Sequence, residues 1–191
     1  MPPEFSAQSK QRIERVLSRY PNKQAALLPV LHIAQDEFGH LPDPVLDRGY
    51  TFLEKELATE RPTNEGWWPA YTAWQAFAGK VLVQGGRNVD IHLTRLYGYR
   101  ERMPVFGIAY LRDAYAAKGE TGERTVDLDR RIANAMLPEG GTAHVEELGD
   151  PYLLWFWNSN ARSTAIALAT MVRTDHDPAL EPRVVRWLMQ A

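Results

Sequence analysis

Proline and glycine cut this chain into helix-length pieces, and nearly every piece carries its apolar residues at helical spacing. That rhythm constrains the fold more than any other feature. Ser6 can cap a first helix with Ile13, Val16, Leu17 and Tyr20 on one side, and Pro21 stops it. A second carries Leu27, Leu28, Leu31, Ala34 and Phe38, with Pro29 in its first turn and Gly39 at its end. Asp43-Pro44 opens a third, through Leu46, Tyr50, Leu53 and Leu57. Past a polar break from Arg61 to Gly66, a fourth follows Trp67-Trp68-Pro69 and turns Tyr71, Trp74, Phe77, Ala78, Val81 and Leu82 inward. Three shorter helices come next. One starts at Asn88 or Asp90 and runs through Ile91 and Leu96. One opens at Pro104 and carries Phe106, Tyr110, Leu111 and Ala114. One is capped by Thr125 and runs through Leu128, Ile132 and Met136. Ser159 or Asn160 caps an eighth, through Ala165, Ile166, Leu168, Ala169 and Val172, and Pro182 opens the last, with Val184, Val185 and Leu188.

Residues 142–157 break the pattern. Thr142 to Leu148 and Tyr152 to Trp157, around Gly149-Asp150-Pro151, read as two short strands about a tight turn. The second is continuously apolar and needs cover on both faces. Helix, short loop, helix at this rhythm gives antiparallel helical hairpins side by side. The expected fold is therefore all-α, with one short β-hairpin at about 142–157.

Composition narrows the function classes. Hydrophobic residues at 45% and charged residues at 24% suit a soluble globular protein, and 191 residues suffice for one domain or two small ones. Net charge is -2, so the basic excess expected of a nucleic-acid binder is missing. Cysteine is absent, which excludes disulfides, zinc fingers, iron–sulfur clusters, a thiol nucleophile and an internal thioester. The longest apolar stretch, Ala165 to Val172, is far short of the roughly 20 residues a bilayer span requires. No basic region followed by an apolar one opens the chain, so the expectation is a cytoplasmic protein.

A search for chemistry returns nothing catalytic, cofactor-binding or metal-binding. His32, His40, His92, His144 and His176 are scattered. His144-Val145-Glu146 matches half of a deaminase signature whose other half needs two cysteines. No phosphate-binding glycine motif and no nucleophile elbow occurs; Gln84-Gly85-Gly86-Arg87 reads as a turn, and Asn158-Ser159-Asn160 as capping chemistry. Trp67, Trp68, Trp74, Trp155 and Trp157 could line a cleft, but the reading preferred is that they fill wedges between helices. No Asp-Asp-x-x-Asp run supports a terpenoid-cyclase-like enzyme. The chain is expected not to be an enzyme.

Two stretches resemble different families. Phe5 to Leu46, with Arg12-Ile-Glu-Arg-Val-Leu-Ser-Arg-Tyr-Pro21 and Ala25-Ala-Leu-Leu-Pro-Val-Leu-His-Ile-Ala-Gln-Asp-Glu-Phe-Gly39, resembles the N-terminal helical segment of the small [2Fe–2S] subunit of respiratory complex I, the E subunit of NADH-quinone oxidoreductase. In that family the segment leads into a thioredoxin-like domain whose four cysteines hold the cluster. Those cysteines have no counterpart here, so only docking is implied. From about Tyr50 to Ala191 the chain resembles the thioester-domain region of bacterial α2-macroglobulins. The carriers are Gly140-Gly-Thr-Ala-His-Val-Glu-Glu147, Trp155 with Asn158-Ser-Asn-Ala-Arg-Ser-Thr-Ala165, and Asp177-Pro-Ala-Leu-Glu-Pro-Arg-Val-Val-Arg-Trp-Leu188. That resemblance implies a partial α/α toroid, protease trapping without the thioester, and a periplasmic or cell-envelope parent protein.

The expected organisation is a helical segment at 1–46 and a partial toroid at 47–191, joined near Leu46-Asp47-Arg48 by natural fusion, engineering or a gene-calling error. Expected partners are a protease or the remaining domains of an α2-macroglobulin-like protein. A further expectation is self-association through an open toroid edge at Val184, Val185, Trp187 and Leu188.

Overall fold

The computed structural model describes residues 4–20, 23, 25–40, 43–147, 151–153 and 158–191. Among them the fold is all-α, with nine helices and one two-stranded hairpin. The chain divides into two compact units, Met1–Phe52 and Leu53–Ala191.

In the first unit, α1 (Ala7–Leu17) packs on α2 (Leu27–Phe38). Ser6 caps α1 by accepting the Ser9 N–H at 3.2 Å, and Gly39 closes α2 at φ 72°. The start of α1 lies beside the end of α2. Phe5 meets Phe38 at 5.1 Å between ring centroids, and the Ser6 N–H donates to Glu37 Oε1 at 2.6 Å. Hydrogen bonds from the Ser9 side chain and the Ser6 backbone hold the Glu37 carboxyl below its usual range. α1 ends at Leu17, short of the stop expected at Pro21. α3 (Asp43–Ala58) contains the boundary between the units.

The second unit is built around α6 (Val105–Ala117), packed by α4 (Trp68–Gln84), α8 (Asn160–Thr174), α7 (Glu123–Asn134) and α5 (Asp90–Gly98). α4 buries a face different from the one its aromatic residues suggest. Ala70, Ala73, Ala76, Ala78 and Gly79 are buried, whereas Phe77 is exposed and Tyr71 and Trp74 are half-exposed. The reason is close approach. A methyl group placed on Gly107 of α6 would come within 2.7 Å of the Ala73 Cβ, so the two helices meet through small residues. Larger rings on that face would hold them apart, and the aromatic stripe is left at the rim. Likewise Ile91 of α5 stays exposed, and Leu93 and Leu96 enter the core.

Buried charge is paired across the same helices. Asp113 of α6 binds Lys80 of α4 at 2.6 Å and pairs with Arg173 of α8, and Arg112 of α6 meets Asp129 of α7 at 2.7 Å. The open carbonyls at the end of α3 are met by Gln75 Nε2, 3.2 Å from Thr59 O, and by Arg95, 2.5 Å from Leu57 O. α7 begins one turn earlier than Thr125 suggests. Gly122 is its N-cap, and the Thr125 hydroxyl accepts the Gly122 N–H at 3.1 Å and donates to Gly122 O at 2.9 Å. No helix among the described residues is long and apolar enough to cross a membrane.

Asp127 of α7 gathers Arg100 at 2.7 Å and Arg131 at 3.0 Å, together with Arg130 and the Tyr97 hydroxyl at 3.1 Å. Burial opposes its charge, but hydrogen bonds from Arg131, Arg100, Arg130 and Tyr97 outweigh it and hold the carboxyl well below the usual range. The stability it contributes is therefore complete above the ordinary Asp value of about 3.8 and is lost as the pH falls below it. Asp127→Asn is expected to destabilise the protein by about 1–3 kcal/mol at neutral pH. It should also flatten the acid limb of stability, as read from denaturant unfolding between neutral pH and about pH 3.

Candidate functional site

The strand expected from Thr142 forms, but it pairs backwards along the chain. β1 (Leu137–Glu139) and β2 (Thr142–His144) are antiparallel, with Leu137 opposite His144 and Glu139 opposite Thr142. Gly140, at φ 55°, supplies the positive φ that a two-residue hairpin turn requires. The hairpin among the described residues is therefore at 137–144, and most of the second strand expected at Tyr152 to Trp157, with the turn before it, lies outside the described residues. Tyr152 lies in a turn, and Trp155 and Trp157 lie outside the described residues.

Two separated stretches converge on β2 and the segment after it. From α9 (Glu181–Leu188), the Trp187 ring stacks on His144 with centroids 4.6 Å apart and planes 6° from parallel. Arg183 donates to Thr142 O at 3.3 Å, and Arg186 to Gly141 O at 3.2 Å. From α8, Thr164 Oγ1 accepts the buried Val145 N–H at 3.0 Å, and Asn160 Oδ1 accepts the Glu147 N–H at 3.0 Å. Residues 145–147 therefore run along the start of α8.

Glu147 closes the junction. Its Oε1 accepts the Val105 N–H at the start of α6, and its Oε2 lies 2.6 Å from Ser163 Oγ. Ser163 Oγ in turn lies 3.0 Å from Asn158 Oδ1, which also accepts from Arg162 at 3.3 Å. Burial pushes the Glu147 carboxyl up, against hydrogen bonds from Ser163, the Val105 N–H and Asn158. The capping expected of Asn158-Ser159-Asn160 is present, since Ser159 caps α8 by accepting the Arg162 N–H at 3.1 Å. The Asn158–Ser163–Glu147 chain has no sequence signal, because no local pattern joins a loop glutamate to a helix residue 16 positions later.

Beside the junction is a cavity of about 300 Å³ lined by Ala73, Trp74, Phe77, Phe106, Tyr110 and Arg162. The Arg162 guanidinium sits 4.9 Å from the centroid of the Phe106 ring. Of the tryptophans singled out, Trp74 lines this cavity. Trp68 fills a wedge, edge-on to Tyr99 at 4.7 Å with Arg102 above it at 4.4 Å. Trp67 stands edge-on to Tyr71 at 5.8 Å. A larger open hollow of about 860 Å³ borders Glu139, Thr142, Arg186, Trp187 and Gln190.

His144 packs against Trp187, with Nδ1 3.9 Å from Glu139 Oε2. Among the described residues no group of three or more His, Asp or Glu side chains is arranged to hold a metal. The arrangement at β2 is suited to holding three chain segments in register. The aromatic cavity is suited to an apolar or planar group lying near a guanidinium. Thr164→Val is expected to leave the buried Val145 N–H without an acceptor. The cost should be about 1–3 kcal/mol in denaturant unfolding, with the helical content of the native protein unchanged.

Over 38 residues the chain is 50% identical to a Rhizobium meliloti (strain 1021) protein, the NADH-quinone oxidoreductase E subunit 2. The match covers 20% of this chain and 23% of that protein, so the chain spans about a quarter of the curated relative it matches. It supports the resemblance of the N-terminal stretch to that complex I component. No family model matches the chain, and no solved structure matches it.

Proposed function

We propose that the chain is a non-catalytic helical interaction protein whose N-terminal unit acts as a docking piece related to the E subunit of NADH-quinone oxidoreductase. The observation carrying this reading is the 38-residue match at 50% identity. A packed helix pair in the first unit, tied by Phe5 to Phe38 and by Ser6 to Glu37, is a form in which such a segment can be presented. No iron–sulfur cluster enters, because the chain has no cysteine to ligate one. Leu27 and Leu28 are exposed apolar side chains of that unit and are natural contact residues. The tagged full-length chain is expected to retain the flavin-bearing subunit of the complex on co-purification, and Leu27→Asp with Leu28→Asp to abolish retention. No retention by the wild-type chain would remove this reading.

The second reading is a fragment of an α2-macroglobulin-like protease-trapping protein, part of an α/α toroid and lacking the thioester. What favours it is the convergence at β2 of stretches from 140–147, 158–165 and 177–188, the same stretches that carry the sequence resemblance. On this reading a protease is held without a covalent bond, if at all. A capture assay should leave no conjugate that survives denaturing electrophoresis, and a surviving conjugate would contradict the reading.

The hollow beside Trp187, with exposed Val185 nearby, is the proposed self-association surface; Val184, expected to share it, is buried against the rest of the unit. Sedimentation at micromolar concentration is expected to show oligomers that Trp187→Lys and Leu188→Glu return to monomer. A wild-type monomer indifferent to both changes would exclude that surface.

A further inference from the structure

The aromatic cavity beside the β2 junction has walls that hold one another in place. Its floor is Ala73, where α4 and α6 meet through small residues, and its sides are rings. Phe77 stands 5.2 Å from Tyr110 at a tilt of 59°, and Tyr110 meets Phe106 edge-on at 6.4 Å. Trp74 stacks on Tyr71 at 6.0 Å, with planes 14° apart. Phe106 belongs to a buried cluster with Ala70, Ala73 and Leu153, against which Tyr110 and Ile166 pack. Ring faces and edges are therefore already set, and little ordering cost remains for an occupant.

One wall carries a charge. Arg162 is half-buried in the first turn of α8, with its guanidinium 4.9 Å from the centroid of the Phe106 ring. Among the described residues its polar partners are neutral, Asn158 Oδ1 at 3.3 Å and the Tyr110 hydroxyl, and no carboxylate pairs with it. Arg95, Arg100, Arg112 and Arg131 of the same unit each meet a carboxylate. The other cation beside a wall is Lys80, 5.3 Å from the centroid of the Tyr110 ring, and it is committed to Asp113 at 2.6 Å. Asp113 also holds Arg173, so it leaves no negative charge over for the cavity.

We propose that this cavity is a binding site for a small planar aromatic carboxylate, with its ring among Trp74, Phe77, Phe106 and Tyr110 and its carboxylate on Arg162. Size sets the scale. A volume of about 300 Å³ is at the lower end of the roughly 300–1,000 Å³ of ligand pockets, which suits one ring or two fused rings. Charge sets the orientation. A carboxylate is repelled by the negative faces of the rings and matched by the flat fork of a guanidinium, so the ring enters and the anion stays at Arg162. Aromatic walls alone would also suit an organic ammonium. Here a guanidinium and an ammonium already stand by Phe106 and Tyr110, and a further cation would meet like charge. The site uses no residue of the N-terminal unit and none of the hollow beside Trp187, so it stands apart from the docking and self-association surfaces.

The test is an NMR titration of the full-length chain with three compounds of matched size: naphthoate, the neutral naphthalenemethanol and the cationic naphthylmethylammonium. Naphthoate is expected to half-saturate the protein below about 1 mM, shifting the Trp74 indole and Ala73 methyl resonances. The alcohol should bind about tenfold or more weakly, because it gives up a charge-assisted pair, and the ammonium more weakly still. Arg162→Gln is expected to abolish the preference for the anion, whereas Arg102→Gln, over Trp68, leaves it intact. The comparison of the three compounds needs only the wild type, so it decides the matter even where a variant fails to fold. No shift at Trp74 and Ala73 by about 1 mM naphthoate overturns the proposal. So does an alcohol or ammonium that binds as tightly as naphthoate, or a folded Arg162→Gln protein that keeps the wild-type preference.

Discussion

The close approach of α4 to α6 sets the rest of the second unit. It depends on Gly107 facing Ala73, where a methyl added to Gly107 would meet the Ala73 side chain at 2.7 Å. Once those two backbones are in contact, α6 is buried on most sides, and its polar residues must find partners inside the protein. Asp113 and Arg112 do so through Lys80, Arg173 and Asp129, and these ion pairs fix where α4, α7 and α8 can sit. An ion pair of this kind adds little net stability over an apolar core. Removing one partner is costly, so it acts mainly to define which helix faces which.

The same packing creates the aromatic cavity. Rings too large for the α4–α6 contact are displaced to its edge, where Trp74, Phe77, Phe106 and Tyr110 surround a space with Arg162 at its margin. The β2 junction lies one step further along α8. Its hydrogen bonds to Thr164, Ser163 and Asn160 start from the first turns of that helix, which places the junction and the cavity in one connected structure. Within the first unit, a ring contact and a hydrogen bond join the start of α1 to the end of α2, and Ser6 caps α1.

Helix positions were largely legible in the sequence, because caps and stops are local. Ser6, Gly39, Pro104 and Ser159 each act within a few residues, and the helices they bound follow from them. The absence of cysteine likewise excluded thiol and cluster chemistry from composition alone. Which face of a helix is buried was legible only in part. Periodicity locates an apolar stripe, but it cannot tell whether a neighbour arrives close enough to require alanine and glycine. Phe77 and Ile91 therefore lie outside, and Ala73 and Leu93 inside. Strand pairing was decided by the tertiary structure too. β2 pairs with the segment before it, through the glycine turn at Gly140. The Glu147–Ser163–Asn158 chain is the clearest case. Its members are ordinary polar residues in sequence, and only folding places them within hydrogen-bond reach of one another.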